Sequence, residues 1–349
     1  MDLPRWNLDD HPDADAAATA YWARQAQLTK PPRSLGRLED LGAQLARLQR
    51  AERPVARPAA CVLFASDHPV AARGVSAYPI EVTRAMVANF ASGGAASTVM
   101  CRALGIEQRV IDVGVRGAPS SGVHRAAVAE LPVGDLVVAD AMPRATYVAA
   151  LAAGAEAIAA LGDVKLVALG EMGIGNSTCA AAVGAAILGR PARELVGPGT
   201  GVAGAALAAK LAAVEAALVR IGADAGPIDG HVAMQAVGGR ELAALMGAMA
   251  AAAERRIAVL VDGFIATAAA LALCAVAPGA RKAMIFAHRS REPGHARMLA
   301  HLDARPLLEL ELALGEATGA LAALPLCDLA CAITAEMATF AGAGVPDRA

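Results

Sequence analysis

The chain has 349 residues, enough for one large core with a smaller satellite, and a net charge of −2. That balance argues against nucleic acid or an anionic membrane surface as the main partner, since either favours a basic face, and leaves small molecules as the expected partners. Hydrophobic residues make up 56% and aromatics only 3%, the excess being alanine and glycine, which suggests helices packed closely over a sheet.

The opening MDLPRWNLDDHPDAD is acidic, without a basic stretch or a following apolar core, so it does not read as a signal peptide. The longest apolar run, Ile265 to Ala277, is too short to cross a bilayer and follows Asp262, so no stable membrane insertion is expected and a cytoplasmic location is. Six cysteines (Cys61, Cys101, Cys179, Cys274, Cys327 and Cys331) lie mostly in apolar segments and form no C-x-x-C pair, as expected of buried thiols in a reducing compartment.

In chain order, residues 13–50 read as one or two helices interrupted at Pro31-Pro32, and the proline-rich stretch 53–60 as a linker. Short runs rich in Val, Ile and Leu follow at 61–65, 109–113, 135–139, 164–169, 257–261 and 283–287. Alanine-rich helical stretches separate most of them, at 82–104, 146–161, 177–189, 201–221, 231–250 and 264–276. This alternation predicts a doubly wound, mostly parallel α/β sheet covered on both faces. After Pro306 a helical pattern runs to about Ala341, suited to packing with the first fifty residues as a small domain. The expected division is 1–58 and 304–349 for the small helical domain and 59–303 for the large one.

Open parallel sheets bind ligands beyond the carboxyl ends of their strands. Here those ends carry Asp67-His68, Asp112, Glu171, Asp262 and His288, although a single acid there also serves as a helix cap. Two glycine-rich turns open helices: Gly170 to Thr178, with Gly173, Gly175, Asn176 and Ser177, and VGPGTG at 196–201, ahead of Lys210. Free amides at a helix start suit an anion, and ordinary strand-to-helix turns capped by Asn176 or Ser177 have the same composition. The first turn has P-loop spacing with Asn176 in place of the lysine, which argues against triphosphate hydrolysis. It also lacks the last glycine of a dinucleotide fingerprint. A monophosphate held without metal or cofactor fits better.

Glu171 within such a turn weakens binding of a phosphate and gives a pure nucleotide sensor nothing. An enzyme that breaks a ribosyl bond does gain, because carboxylates stabilise the positive charge developing on the sugar. LGEATGA, at 314–320, supplies a second candidate acid, Glu316, among small residues. The plainer alternatives are a helix cap for Glu171 and a solvated helix residue for Glu316. His288 and His295 bracket a Pro-Gly turn with irregular spacing, which suits a structured loop better than a metal site.

Taken together, KPPRSLGRLEDL (30–41), SDHPVAARGVSAYPIEVT (66–83), NFASGGAA (89–96), IDVGV (111–115), GEMGIGNST (170–178), VGPGTG (196–201), VDGFIATAAAL (261–271), AHRSREPGH (287–295) and LGEATGA (314–320) resemble the nicotinate-nucleotide:dimethylbenzimidazole phosphoribosyltransferase family. The resemblance implies transfer of phosphoribose from nicotinate mononucleotide to 5,6-dimethylbenzimidazole, forming α-ribazole 5′-phosphate during assembly of the cobalamin lower ligand. It also implies a homodimer with a Rossmann-like large domain. Glu316 takes the position of the general base, and Glu171 lies near the ribosyl centre. Gly173, Gly175, Asn176, Ser177, Thr178, Gly199, Thr200, Gly201, Lys210 and Asp262 would hold the phosphate and ribose. Asp67, His68, Tyr78, Ala85 and Leu314 would meet the acceptor base. Pro69, Ala85 and Ala317 depart from the family pattern, mostly on the acceptor side, so other benzimidazoles, purines or phenols remain open as acceptors. A nicotinate-nucleotide glycosidase and a non-catalytic nucleotide-binding regulator are the alternatives.

Overall fold

In the computed structural model the described residues are 3, 4, 6, 8, 12–199 and 201–347. Six strands form one parallel sheet: β1 (Ala59–Ser66), β2 (Glu107–Gly114), β3 (His124–Arg125), β4 (Leu166–Met172), β5 (Ala258–Val261) and β6 (Met284–Phe286), in the order β3-β2-β1-β4-β5-β6. This is the doubly wound order, and it reverses direction between β1 and β4, the switch point near which such sheets bind ligands. The central strands β1, β4 and β5 and the edge strand β6 are buried on both faces, which explains their continuous apolar runs. Alternate side chains serve different cores: Val62, Val167, Val259 and Phe286 face one helical layer, and Cys61, Leu166, Leu260 and Ile285 the other.

The helices are α1 (Pro12–Gln25), α2 (Arg37–Gln49), α3 (Glu81–Ser92), α4 (Ala96–Leu104), α5 (Arg144–Ala159), α6 (Asn176–Leu188), α7 (Gly204–Arg220), α8 (Gly230–Val237), α9 (Arg240–Glu254), α10 (Phe264–Val276), α11 (Pro293–His301), α12 (Thr318–Glu336) and α13 (Phe340–Ala343). Alanine and glycine let the first layer pack tightly. A Cβ on Gly154 in α5 would run into the Ala244 carbonyl of α9, and one on Gly247 of α9 into the Leu151 carbonyl of α5. Gly154→Ala is therefore expected to destabilise the fold by about 2 kcal/mol, an overpacking cost read from urea denaturation.

Helices from both chain ends meet on the other face: α2 and α12 share a core with the sheet, and Gln25 at the end of α1 donates to Thr334 of α12 at 2.9 Å. Among the described residues α12 alone is long and apolar enough to cross a membrane. Here Leu321, Leu324 and Cys327 pack against the sheet, and Asp328 pairs with Arg57 at 2.8 Å. All six cysteines are free, and all but the half-buried Cys274 are buried.

Four predicted elements differ. The expected strand at 135–139 is a turn, because the Asp135 carboxylate accepts from the Val137 amide at 3.0 Å and its carbonyl accepts from Val138 and Ala139 at 2.9 Å. Such local bonds compete with sheet pairing. The stretches 82–104 and 231–250 each split in two, at Gly93-Gly94 and Gly238-Gly239. Between Pro306 and α12 the chain is extended rather than helical. Leu307 and Leu308 donate to the Phe286 and Ala287 carbonyls, and Arg289 donates back to Leu308, so the segment runs beside β6. Its leucines at 308, 310, 312 and 314 alternate with Glu309, Glu311 and Ala313, a period of two that fits an extended chain.

Candidate active site

A cavity of about 420 Å³ lies over the carboxyl ends of β4, β5 and β6. Its size suits a small organic ligand, and its walls are mainly apolar, with Tyr78, Val82, Met86, Phe264, Leu312 and Leu314 among the lining residues.

Four carboxylates line this cavity: Glu292 lies beside the second glycine-rich turn, and Glu171, Asp262 and Glu316 interact with one another near the strand ends. Glu171 ends β4 and accepts from the Asn176 side-chain amide, while its carbonyl accepts the Glu316 amide at 3.2 Å. The two acids thus come from segments that touch. Close approach is possible because Gly315 has no side chain; a Cβ there would strike the Glu171 carboxylate. Glu316 (φ 63°) and Ala317 (φ 62°) both adopt the left-handed conformation, which disfavours a side chain at either position. Such local strain is found where surrounding structure holds a functional group in place. Asp262, just after β5, accepts from the Ala320 amide at 2.9 Å and so ties the start of α12 to the site.

Burial dominates the electrostatics. It pushes the Glu171 carboxyl up to about 8, helped by the negative charges of Glu241, Asp262 and Glu316 and opposed by the Asn176 hydrogen bond. Burial also pushes Asp262 up to about 7 against the α12 amides that stabilise its charge. Glu316 rises for the same reason, opposed by the Ser97 backbone amide, and its Oε2 has no hydrogen-bond partner among the described residues. Burial thus favours the protonated form of Glu171 near neutral pH, and a cationic ligand would favour its loss of the proton.

At the other end of the cavity the two glycine-rich turns meet. Gly175 (φ 98°) bends the chain into α6, so that Asn176 and Ser177 open that helix into the cavity. Lys210, fully buried on α7, donates to Ser177 Oγ at 3.0 Å and to the Gly197 carbonyl at 2.8 Å, tying the turns together. Burial lowers its pKa, as expected for an ammonium held away from water. Gly173 and Gly199 also line the cavity. Gly175, Thr178 and Gly201 belong to the turns but not to the lining, and Thr200 lies outside the described residues.

Tyr78 and Leu314 are on the cavity wall as the acceptor reading requires, each about half exposed. Ala85 is exposed on α3 and off the lining; Val82 and Met86, one helical turn apart, take the wall instead. Asp67 and His68 point away from the cavity into a buried polar cluster. Asp67 accepts from the Arg116 amide at 2.7 Å, and His68 contacts Glu241 at 2.5 Å and Cys179 at 3.2 Å. Burial opposes a charge on His68, but Glu241 and Cys179 beside it hold the imidazole well above its usual range. Asp112 is also structural: it accepts from the amides of Gly114 and Val115 and pairs with Arg125.

The histidines divide likewise. His295 is buried against Thr267 and Ser290, at 2.9 Å from each hydroxyl. His288 lines the cavity 4.0 Å from Asp262, with both ring nitrogens unpartnered among the described residues. No group of three or more His, Cys, Asp or Glu suited to a metal occurs among the described residues.

The family model that matches residues 10–345 carries the description Phosphoribosyltransferase, which gives the class. The chain is 48% identical over 341 residues to the nicotinate-nucleotide–dimethylbenzimidazole phosphoribosyltransferase of Xanthomonas oryzae pv. oryzae, covering 96% of each chain. It is 46% identical to the enzyme of that name from Chloroflexus aurantiacus, covering 100% of each. The crystal structure of CobT from Thermus thermophilus superposes with a TM-score of 0.90 at 43% identity, covering 95% of this chain and 100% of that one. The chain belongs to the nicotinate-nucleotide–dimethylbenzimidazole phosphoribosyltransferase family.

Proposed function

We propose that the protein transfers phosphoribose from nicotinate mononucleotide to 5,6-dimethylbenzimidazole, giving α-ribazole 5′-phosphate and nicotinate in cobalamin biosynthesis. The observation that carries this reading is the joining of Glu171 and Glu316 in one cavity whose far end holds Ser177 and the Lys210-tied turns. Names of relatives across the whole chain support the same substrates. The phosphate is held at the turns, and the ribose lies over Glu171, Asp262 and His288. The aromatic acceptor enters between Tyr78, Met86 and Leu314.

The reaction is a single displacement. The acceptor nitrogen forms a bond to the anomeric carbon as the bond from that carbon to the nicotinate nitrogen breaks. The pyridinium takes its bonding electrons and leaves as a neutral ring, so no acid is needed at the leaving group. Glu316 takes the N–H proton of the benzimidazole, and Glu171 stabilises the positive charge on the ribosyl ring. Attack opposite the leaving ring inverts β to α.

We further read the chain as a homodimer in the cytoplasm, with residues 1–58 and 304–349 forming a smaller domain beside 59–303. The packing of α2 with α12 supports that division, and family resemblance supports the dimer.

Incubating the protein with nicotinate mononucleotide, with and without dimethylbenzimidazole, tests the activity. Nicotinate release that needs the base, with an equimolar product of α-ribazole phosphate mass, is expected. Release at an equal rate without base would make it a glycosidase, and tight binding with no release would make it a regulator. A panel of benzimidazoles, purines and phenols then defines the acceptor.

A further inference from the structure

The amide of Gly199, in the second glycine-rich turn, already has an anionic partner. It donates to Glu292 Oε1 at 2.8 Å. Glu292 is the residue before α11, yet its carboxylate makes no capping bond to that helix. It reaches across to the turn instead, where a Cβ on Gly197 would collide with Oε2. That second oxygen is buried and has no hydrogen-bond partner among the described residues. Glu292, Ser177 and Gly199 line the same end of the cavity, and Lys210 reaches Ser177 and Gly197 there. A carboxylate presents two acceptor oxygens to a backbone amide much as a phosphate does, with less charge.

We propose that Glu292 is an internal stand-in for the donor's phosphate: its carboxylate holds the Gly199 amide in the unliganded protein and is displaced when phosphate binds. This rests on the reading that the two turns hold the phosphate. Two anions cannot share the Gly199 amide and the Lys210 region without strong repulsion at low dielectric, so phosphate binding must move or neutralise Glu292. The residue thus sets the affinity of the phosphate end. It keeps the Gly199 amide partnered between turnovers, at the cost of weaker donor binding.

Calorimetric titration of inorganic phosphate into the full-length protein at pH 8 and fixed ionic strength tests this. Glu292→Gln is expected to bind phosphate tenfold or more tightly than the parent, with a parallel gain for nicotinate mononucleotide. Glu292→Asp, which keeps the charge but shortens its reach, should show a smaller gain and serves if the glutamine variant folds poorly. Lys210→Met should lose phosphate binding, which locates the anion at these turns. Unchanged or weaker binding by Glu292→Gln, with Lys210 still required, would overturn the proposal and make Glu292 a support for the turn. Phosphate binding indifferent to Lys210, or absent from every form, would remove the phosphate reading and the inference with it.

Discussion

Glu316→Gln is expected to lower turnover by about 100-fold or more, with the Michaelis constant for nicotinate mononucleotide changing only a few-fold. Glutamine keeps the shape and hydrogen-bonding reach of the side chain but cannot accept the benzimidazole proton. The location of Glu316 makes the loss specific. Its backbone is held in the left-handed conformation between Gly315 and Ala317, its amide is fixed on the Glu171 carbonyl, and one carboxylate oxygen is buried without a partner among the described residues. A buried, underpartnered acid destabilises the unliganded protein once ionised, so the amide should melt at the same or a higher temperature near neutral pH. A fall in turnover together with an unchanged melt assigns the effect to chemistry. Parental turnover in Glu316→Gln would show that the proton leaves by another route, with Glu171, Asp262 and Glu292 the carboxylates left in the cavity.

The parts of the fold legible in the sequence are those where one physical signal has no competitor. β1, β4, β5 and β6 are apolar on both faces, so their runs stand out whatever their neighbours. Glu171 and the glycines around it are equally visible, because an acid among turn residues needs a reason. Residues 306–317 read as helix because leucine and glutamate are good helix formers, and that propensity masks an alternation of period two. The neighbour that decides the outcome, the edge of β6, lies some twenty residues earlier in the chain. Asp67 and His68 do stand at the end of a strand, but a strand end does not say to which side of the crevice its side chains turn. Glu241 gives no signal, since an acid in the first turn of a helix ordinarily serves the helix dipole. Here it partners His68 and adds to the negative field on Glu171. Val82 and Met86 extend Tyr78 by successive four-residue steps, and that repeat in AYPIEVTRAM is the available clue to the acceptor wall.

Glu171→Gln is expected to lower kcat/KM by about 100-fold or more at its plateau and to change the pH dependence as well. In the free protein burial holds the Glu171 carboxyl at about 8, with Glu241, Asp262 and Glu316 adding to the shift and Asn176 opposing it. If the ionised form stabilises the cationic ribosyl centre, kcat/KM in the parent rises with pH through that region, since this parameter reports the free enzyme. Nicotinate mononucleotide carries a pyridinium, so its binding favours the ionised acid and releases protons, which calorimetry in buffers of different ionisation enthalpy detects. Replacing Glu171 removes its own titration and one negative neighbour of Asp262 and Glu316, so the remaining limb should move to lower pH. Stability has the opposite sign. Above about pH 4.5 an unfolded glutamate loses its proton while folded Glu171 keeps its own until about 8, so the unfolded state binds fewer protons and stability falls as pH rises. The slope is up to about 1.4 kcal/mol per pH unit for one such group, levelling off above 8 and absent below the unfolded value. Denaturation of the unliganded protein between pH 5 and 8 should show this decline, and Glu171→Gln should flatten it by one group's share. An unaltered pH–rate limb together with an unaltered stability slope would place the titrating acid elsewhere in the cavity.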